Sequence, residues 1–283
     1  MKYIFVQPAL GRFAWELRTA IKSLQDLGVQ DSEIVILFSN LDQKVINEFS
    51  KYDVHVYNDY REDKSYIPSI RPYLWWKYME EIRTSNDVYV YLDSDTVILD
   101  LDAFNVPVTN TTWYCSDTIG YIGYDYLTSV TNANDVINAM SKTTGVSVDW
   151  IKSIQDNSGG AQWVIKNPTV EYWRDVYYTS VNLYNTLLGY NSSIQKWTAE
   201  MWAQLWLLSK YNIEPCISKK LDFAWATDNE LKDKYIVHNA GVDAGQGLFF
   251  KGQYQNTPPL DHLYQNTGKV SDIYVEHVRK ANY

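Results

Sequence analysis

The stretch at 87–99, DVYVYLDSDTVIL, constrains the fold more than any other part of the chain. Apolar residues fill 88–92, lead into Asp93-Ser94-Asp95, and resume over 96–99. An unbroken run of β-branched and aromatic residues reads as a strand buried on both faces. Buried charges are costly unless they are paired or hold a cation. In an extended segment, side chains at i and i+2 point the same way. Asp93 and Asp95 are therefore expected to aim at one point just past the strand's C-terminal end. Ligands bind at that edge in open α/β sheets. The competing reading is a turn or a cap, since Asp-x-Asp arises by chance about once in a chain of this size. A second match, Asp100-Leu101-Asp102, reads as such a turn.

The residues before this stretch alternate between two periods. A strand at 2–6 stops at Gln7-Pro8, because Pro removes a donor. Residues 15–27 carry apolar side chains at 17, 20, 21, 24 and 27, a helical spacing, and Gly28 reads as the C-cap. A strand follows at 33–38, with Ser39 and Asn40 at its end, then a helix at 41–49. The next strand, 54–57, contains His55 as an ordinary strand residue. This order implies right-handed crossovers and a parallel sheet. Within 66–83, Pro68 and Pro72 shape a loop entering a helix, and Arg71 and Lys77 lie about one and a half turns apart on the way to the 87–99 strand.

Beyond it, strands are expected at 113–116 and 118–124, and helices at 134–141 and 148–154. In DNSGGAQWVI, 156–165, Gly159 and Gly160 precede a strand and imply a close backbone approach to something. A tight turn without a ligand is the alternative. A Tyr-rich helix covers 170–188. The next helix, within 197–211, is opened by Glu200, which suits the helix dipole and on that ground alone reads as a capping acid. Short strands at 213–217 and 221–226 come next. A strand at 235–237 then delivers His238, with glycines at 241, 245 and 247 and Lys251 beyond. The tail, 257–283, has Pro258-Pro259 and an amphipathic stretch at 273–278. His262 and His277 carry no partner signal.

A chain of 283 residues suits one large α/β domain better than two small ones, because no linker or low-complexity run divides it. The net charge of −9 opposes non-specific binding to a polyanion, without excluding a local basic groove. Lys219-Lys220, Lys232 with Lys234, and Arg279-Lys280 read as solvated surface. Cys115 and Cys216 lack metal-type spacing and are expected as reduced thiols. The 11 Trp and 24 Tyr suit a carbohydrate or nucleoside site, although most are expected in the core. No apolar run approaches a membrane span. The expectation is a soluble, cytoplasmic protein.

Four separated segments carry a family resemblance: YLDSDTVIL, NSGGAQ, the Glu200 helix start, and His238-x-x-Gly241 with Lys251 downstream. Together they resemble the GT-A glycosyltransferases, which use nucleotide-sugar donors. Gly-Gly-Ala-Gln is closer to phage-encoded members, and His-x-x-Gly to glycogenin-like ones. The resemblance implies a Rossmann-like α/β domain with a mostly parallel central sheet flanked by helices and a smaller acceptor-side sheet. It implies a nucleotide-sugar half at 1–102, an acceptor half at 103–256 and an extension at 257–283. It also implies that Asp93, Asp95 and His238 hold Mn²⁺ or Mg²⁺. The donor, a UDP-sugar first among nucleoside-diphosphate sugars, would meet Gln7, Pro8, Asn40, Arg71, Lys77, Ser94, Asn157, Gly159, Gly160, Gln162, Gly241 and Lys251. Glu200 would be the base or positioning carboxylate, with Asp95 in the catalytic set. The acceptor implied by the phage likeness is a hydroxymethylated pyrimidine in DNA, which would place the protein in a host cytoplasm. A glycan, lipid or protein acceptor stands beside it. From the residues alone, a divalent-metal phosphohydrolase or nucleotidyl enzyme, or a sugar-binding module, also remains open.

Overall fold

The computed structural model describes residues 1–83, 87–258 and 266–283; His262 and Pro259 lie outside them. The strands are β1 (Lys2–Pro8), β2 (Ile34–Ser39), β3 (Asp53–Tyr57), β4 (Val88–Leu92), β5 (Thr96–Ile98), β6 (Thr112–Asp117), β7 (Gly159–Lys166), β8 (Glu214–Ile217), β9 (Phe223–Trp225) and β10 (Ile236–His238). The helices are α1 (Gly11–Asp26), α2 (Gln43–Glu48), α3 (Ile70–Ile82), α4 (Ile119–Ile122), α5 (Tyr124–Ser129), α6 (Ala133–Thr144), α7 (Val148–Ser153), α8 (Val170–Leu188), α9 (Ala199–Leu207) and α10 (Ser271–Asn282). The larger sheet is mixed but mostly parallel, in the order β3-β2-β1-β4-β7-β6-β8, and the smaller one runs β5-β10-β9. The chain gathers into two compact units.

One unit comprises Met1–Tyr57, Val90–Val106 and Lys220–Tyr283. Its strands β1, β2 and β3 are parallel neighbours, with Phe5 opposite Ile36 and Ile36 opposite Val54. All of β2 is buried, as its apolar run from Ile34 to Phe38 demands. Around the small sheet, Trp15, Val97, Ala224, Val237, Val270, Tyr274 and Val278 form one apolar core. Trp15 also donates its indole N–H to the Tyr254 carbonyl at 2.9 Å. The amphipathic stretch expected at 273–278 is the middle of α10, which packs on α1.

The other unit comprises Asn58–Tyr89 and Pro107–Lys219. Here the aromatic residues do their packing: Trp75 and Trp173 stack at 4.7 Å where α8 meets α3, and Trp113 meets Tyr172 edge-on at 5.1 Å. Two expectations need correcting. Residues 118–124 are helical rather than a strand, comprising α4 and the start of α5. Asp117 Oδ1 accepts from the Ile119 amide at 2.9 Å and starts the turn. Apolar residues at 119 and 122 then fit a helical step better than alternation. Gly159 and Gly160, expected ahead of a strand, lie within β7. The close approach they permit is to the neighbouring strand. A Cβ on Gly159 would meet Cys115 Sγ and, at 2.5 Å, the Ser116 carbonyl oxygen.

Candidate metal centre

The turn at 93–95 leaves β4 and re-enters as β5. Strand β10 runs antiparallel to β5 with His238 opposite Thr96. That register sets the imidazole against both carboxylates. His238 Nε2 lies 3.2 Å from Asp95 Oδ1 and 3.6 Å from Asp93 Oδ2. The backbone is pinned on both sides of the turn. Thr96 Oγ1 donates to the Asp93 carbonyl at 2.8 Å, and the Asn239 amide to the Asp95 carbonyl at 2.9 Å. Phe223 and Trp225 of β9 hold the His238 ring, at centroid distances of 4.9 and 6.5 Å. Asp95 and His238 are buried, and Asp93 is half-buried.

One ligand atom from each of Asp93, Asp95 and His238 lies within 4.8 Å of the others. Donors bound at roughly 2.1 Å to one ion stand up to about 4.2 Å apart, so small side-chain movements suffice for a shared ion. Two carboxylates and an imidazole suit Mn²⁺ and accept Mg²⁺. Next to His238, the Asn239 side chain is buried, and neither of its amide atoms has a hydrogen-bond partner among the described residues. Leaving such a group unsatisfied is costly, which also favours a ligand here.

Lys251, though 156 residues away in sequence, forms an ion pair with Asp95 Oδ2. Burial works to raise the Asp95 carboxyl; Lys251 and then His238 outweigh it and hold the group well below the usual carboxylate range.

Sequence reasoning passed over Arg12 and Glu16. Glu16 is completely buried. Its Oε1 accepts from Arg12 Nε at 2.8 Å and its Oε2 from Ser94 Oγ at 2.6 Å. Burial pushes the Glu16 carboxyl up, with Asp95 adding to the push and Lys251 and Arg12 opposing it. One sequence signal was present. Glu16 lies in line with Thr19, Ala20 and Ser23 on α1, a stripe of small residues buried with it. A long acid on a small-residue stripe has room to be covered.

The other sequence candidates divide between the units. Gln7 and Pro8 end β1, with Pro8 opposite Ser39, so that Asn40 follows at the same sheet edge. Gln7 is buried and Asn40 is exposed. Gly241 adopts a left-handed φ of 73°, and a Cβ there would come within 3.3 Å of the Trp225 ring. In the other unit, Arg71 and Glu200 form an ion pair, with Arg71 Nε 3.2 Å from Glu200 Oε2. The Glu200 amide donates to Tyr66 Oη at 2.9 Å. Lys77 sits 3.6 Å above the Trp76 ring and pairs with Glu80 at 2.8 Å. Asn157 Oδ1 accepts from the Ile217 amide at 3.2 Å. Gln162 Oε1 accepts from Ser116 Oγ at 2.7 Å. The fold thus brings Asp93, Asp95, His238 and Lys251 together in one unit, and Arg71 and Glu200 in the other.

No protein-family model matches the sequence, and no curated protein matches it. Solved structures do share the architecture. The galactosyltransferase LgtC, in complex with donor and acceptor sugar analogues, superposes with a TM-score of 0.55 at 12% identity, over 99% of this chain and 96% of that one. The bifunctional glycosyltransferase WbbM gives a TM-score of 0.54 at 12% identity, over 98% of this chain and 49% of that one. The chain therefore spans about half the length of the WbbM structure. What is shared at this identity is the fold, the α/β arrangement of GT-A glycosyltransferases. No helix among the described residues is long and apolar enough to cross a membrane.

Proposed function

We propose that the protein is a metal-dependent glycosyltransferase that moves a sugar from a nucleoside-diphosphate sugar, a UDP-sugar first among them, to an acceptor hydroxyl. The observation that carries this is the convergence of Asp93, Asp95 and His238 within 4.8 Å, in a chain with the fold of LgtC. A divalent cation held there would supply Lewis-acid stabilisation of the departing diphosphate. Asp93, Asp95 and His238 orient it, and Lys251 adds a positive charge at the same point. By resemblance, Gln7, Pro8 and Asn40 meet the nucleoside, while Gly241 lines the donor. Glu200, paired with Arg71, positions or deprotonates the acceptor hydroxyl if the reaction inverts; if it retains, the leaving phosphate takes that proton.

An acceptor sugar is the favoured substrate, because the related fold of LgtC has been seen with an acceptor sugar analogue and a net charge of −9 opposes a DNA acceptor. Incubation with UDP-glucose and Mn²⁺ separates the reaction classes. Slow UDP release is the expected result, and Asp95→Ala should abolish it. Phosphate release would make the protein a phosphohydrolase, and no turnover a binding module. Mass spectrometry of products from glycans and from hydroxymethylcytosine and hydroxymethyluracil DNA then identifies the acceptor. Modified DNA as the sole product would overturn the sugar assignment and restore the phage-like reading.

A further inference from the structure

We propose that Glu16 is a positioning residue for the cation, holding the Asp93-Ser94-Asp95 turn so that both carboxylates face His238. The inference rests on reading that triad as the metal centre. A turn between two strands has few constraints of its own, and the middle residue of this one is held by a side chain from α1. Ser94 is buried, and its hydroxyl donates to Glu16 Oε2 at 2.6 Å. The other oxygen of Glu16 is held by Arg12 at 2.8 Å. Both acceptors of the buried acid are therefore engaged within the protein, and Glu16 is not among the converging ligand atoms.

The same helix holds the segment a second time. Ser23, two turns further along α1, accepts from the Ile98 amide at 3.0 Å. Glu16 thus fastens the turn and Ser23 fastens the far end of β5. Between those points, Thr96 of β5 sets the register of His238. Carboxylates that bind metal depend on such outer contacts for their direction, and removing one typically weakens metal binding 10–100-fold.

The experiment is a Mn²⁺ titration without sugar nucleotide, with free aquo-Mn²⁺ counted by electron paramagnetic resonance, on wild type, Ser94→Ala and Glu16→Gln. Ser94→Ala keeps the buried acid and removes one hydrogen bond. Glu16→Gln sets an amide where Arg12 and Ser94 both donate. Expected are a roughly 10-fold loss of Mn²⁺ affinity in Ser94→Ala and a larger loss, up to about 100-fold, in Glu16→Gln. In turnover assays the Mn²⁺ concentration for half-maximal rate should rise more than kcat falls. Urea unfolding of each variant supplies the control, since a purely structural role would lower stability while the folded protein bound Mn²⁺ as before. Tight wild-type binding with unchanged affinity in both variants would overturn this inference alone. Wild type that takes up no Mn²⁺ would overturn the metal centre and this inference with it.

Discussion

At the scale of single residues, the acids of this protein differ by what surrounds them. Asp95 faces an ammonium and an imidazole, Glu16 faces a guanidinium and a hydroxyl, and Glu200 faces Arg71. The last pair makes a direct prediction. The Glu200 side chain is only 7% exposed, while that of Arg71 is 24% exposed. Arg71→Ala leaves a covered carboxylate without its cation and should cost about 2 kcal/mol, towards the low side for breaking a buried pair because solvent reaches Arg71. Urea melts measure it, and Arg71→Met with Glu200→Leu should recover most of the loss. A single variant as stable as wild type would show that solvent already screens the pair.

At the scale of elements, β7 shows how a motif is read differently once its neighbour is known. Its pairing with β6 shifts between Cys115, opposite Trp163, and Ser116, opposite Gly160. Ala161 and Gln162 are left over as a bulge, and Ala161 takes a left-handed φ of 60°. The bulge lets Gln162 turn to Ser116. The preceding glycine exists for contact between strands, so Gly159→Ala should destabilise by roughly 1–3 kcal/mol, the usual cost of overpacking. Thermal or urea unfolding tests this, and a neutral effect would mean that β6 gives way freely. From sequence, two glycines show that something comes close; its identity depends on which strand pairs with β7. The mistaken strand at 118–124 has a similar origin, because a short apolar run fits either period until its partners are known.

Across the whole molecule, pH stability follows from opposed shifts. The folded pKa of Asp95 is lowered. Its contribution is therefore complete above the unfolded value, about 3.9, and is lost as pH falls towards the lower folded value. Glu16 is raised, so it removes stability as pH rises from its unfolded value, about 4.3, to its folded one. Urea midpoints across the acid range should fall more steeply below about pH 4 for wild type than for Asp95→Asn. As pH rises from about 4.3, Glu16→Gln should lose less stability than wild type. Parallel curves for all three proteins would refute both assignments.

Hydrophobic period and the spacing of neighbours are local properties. The amino-acid order therefore determined by itself the buried strand before Asp93, the i, i+2 carboxylates, the strand that delivers His238 and the alternation of an α/β sheet. Resemblance, rather than pattern, singled out His238 and Lys251 for the metal and diphosphate. The meeting of Lys251 with Asp95, the pairing of Arg71 with Glu200 and the burial of Glu16 behind Ser94 were decided only by the tertiary structure. Desolvation and charge pairing depend on which distant segments close over a side chain, and a lone acid on a helix looks the same in sequence whether water or protein covers it.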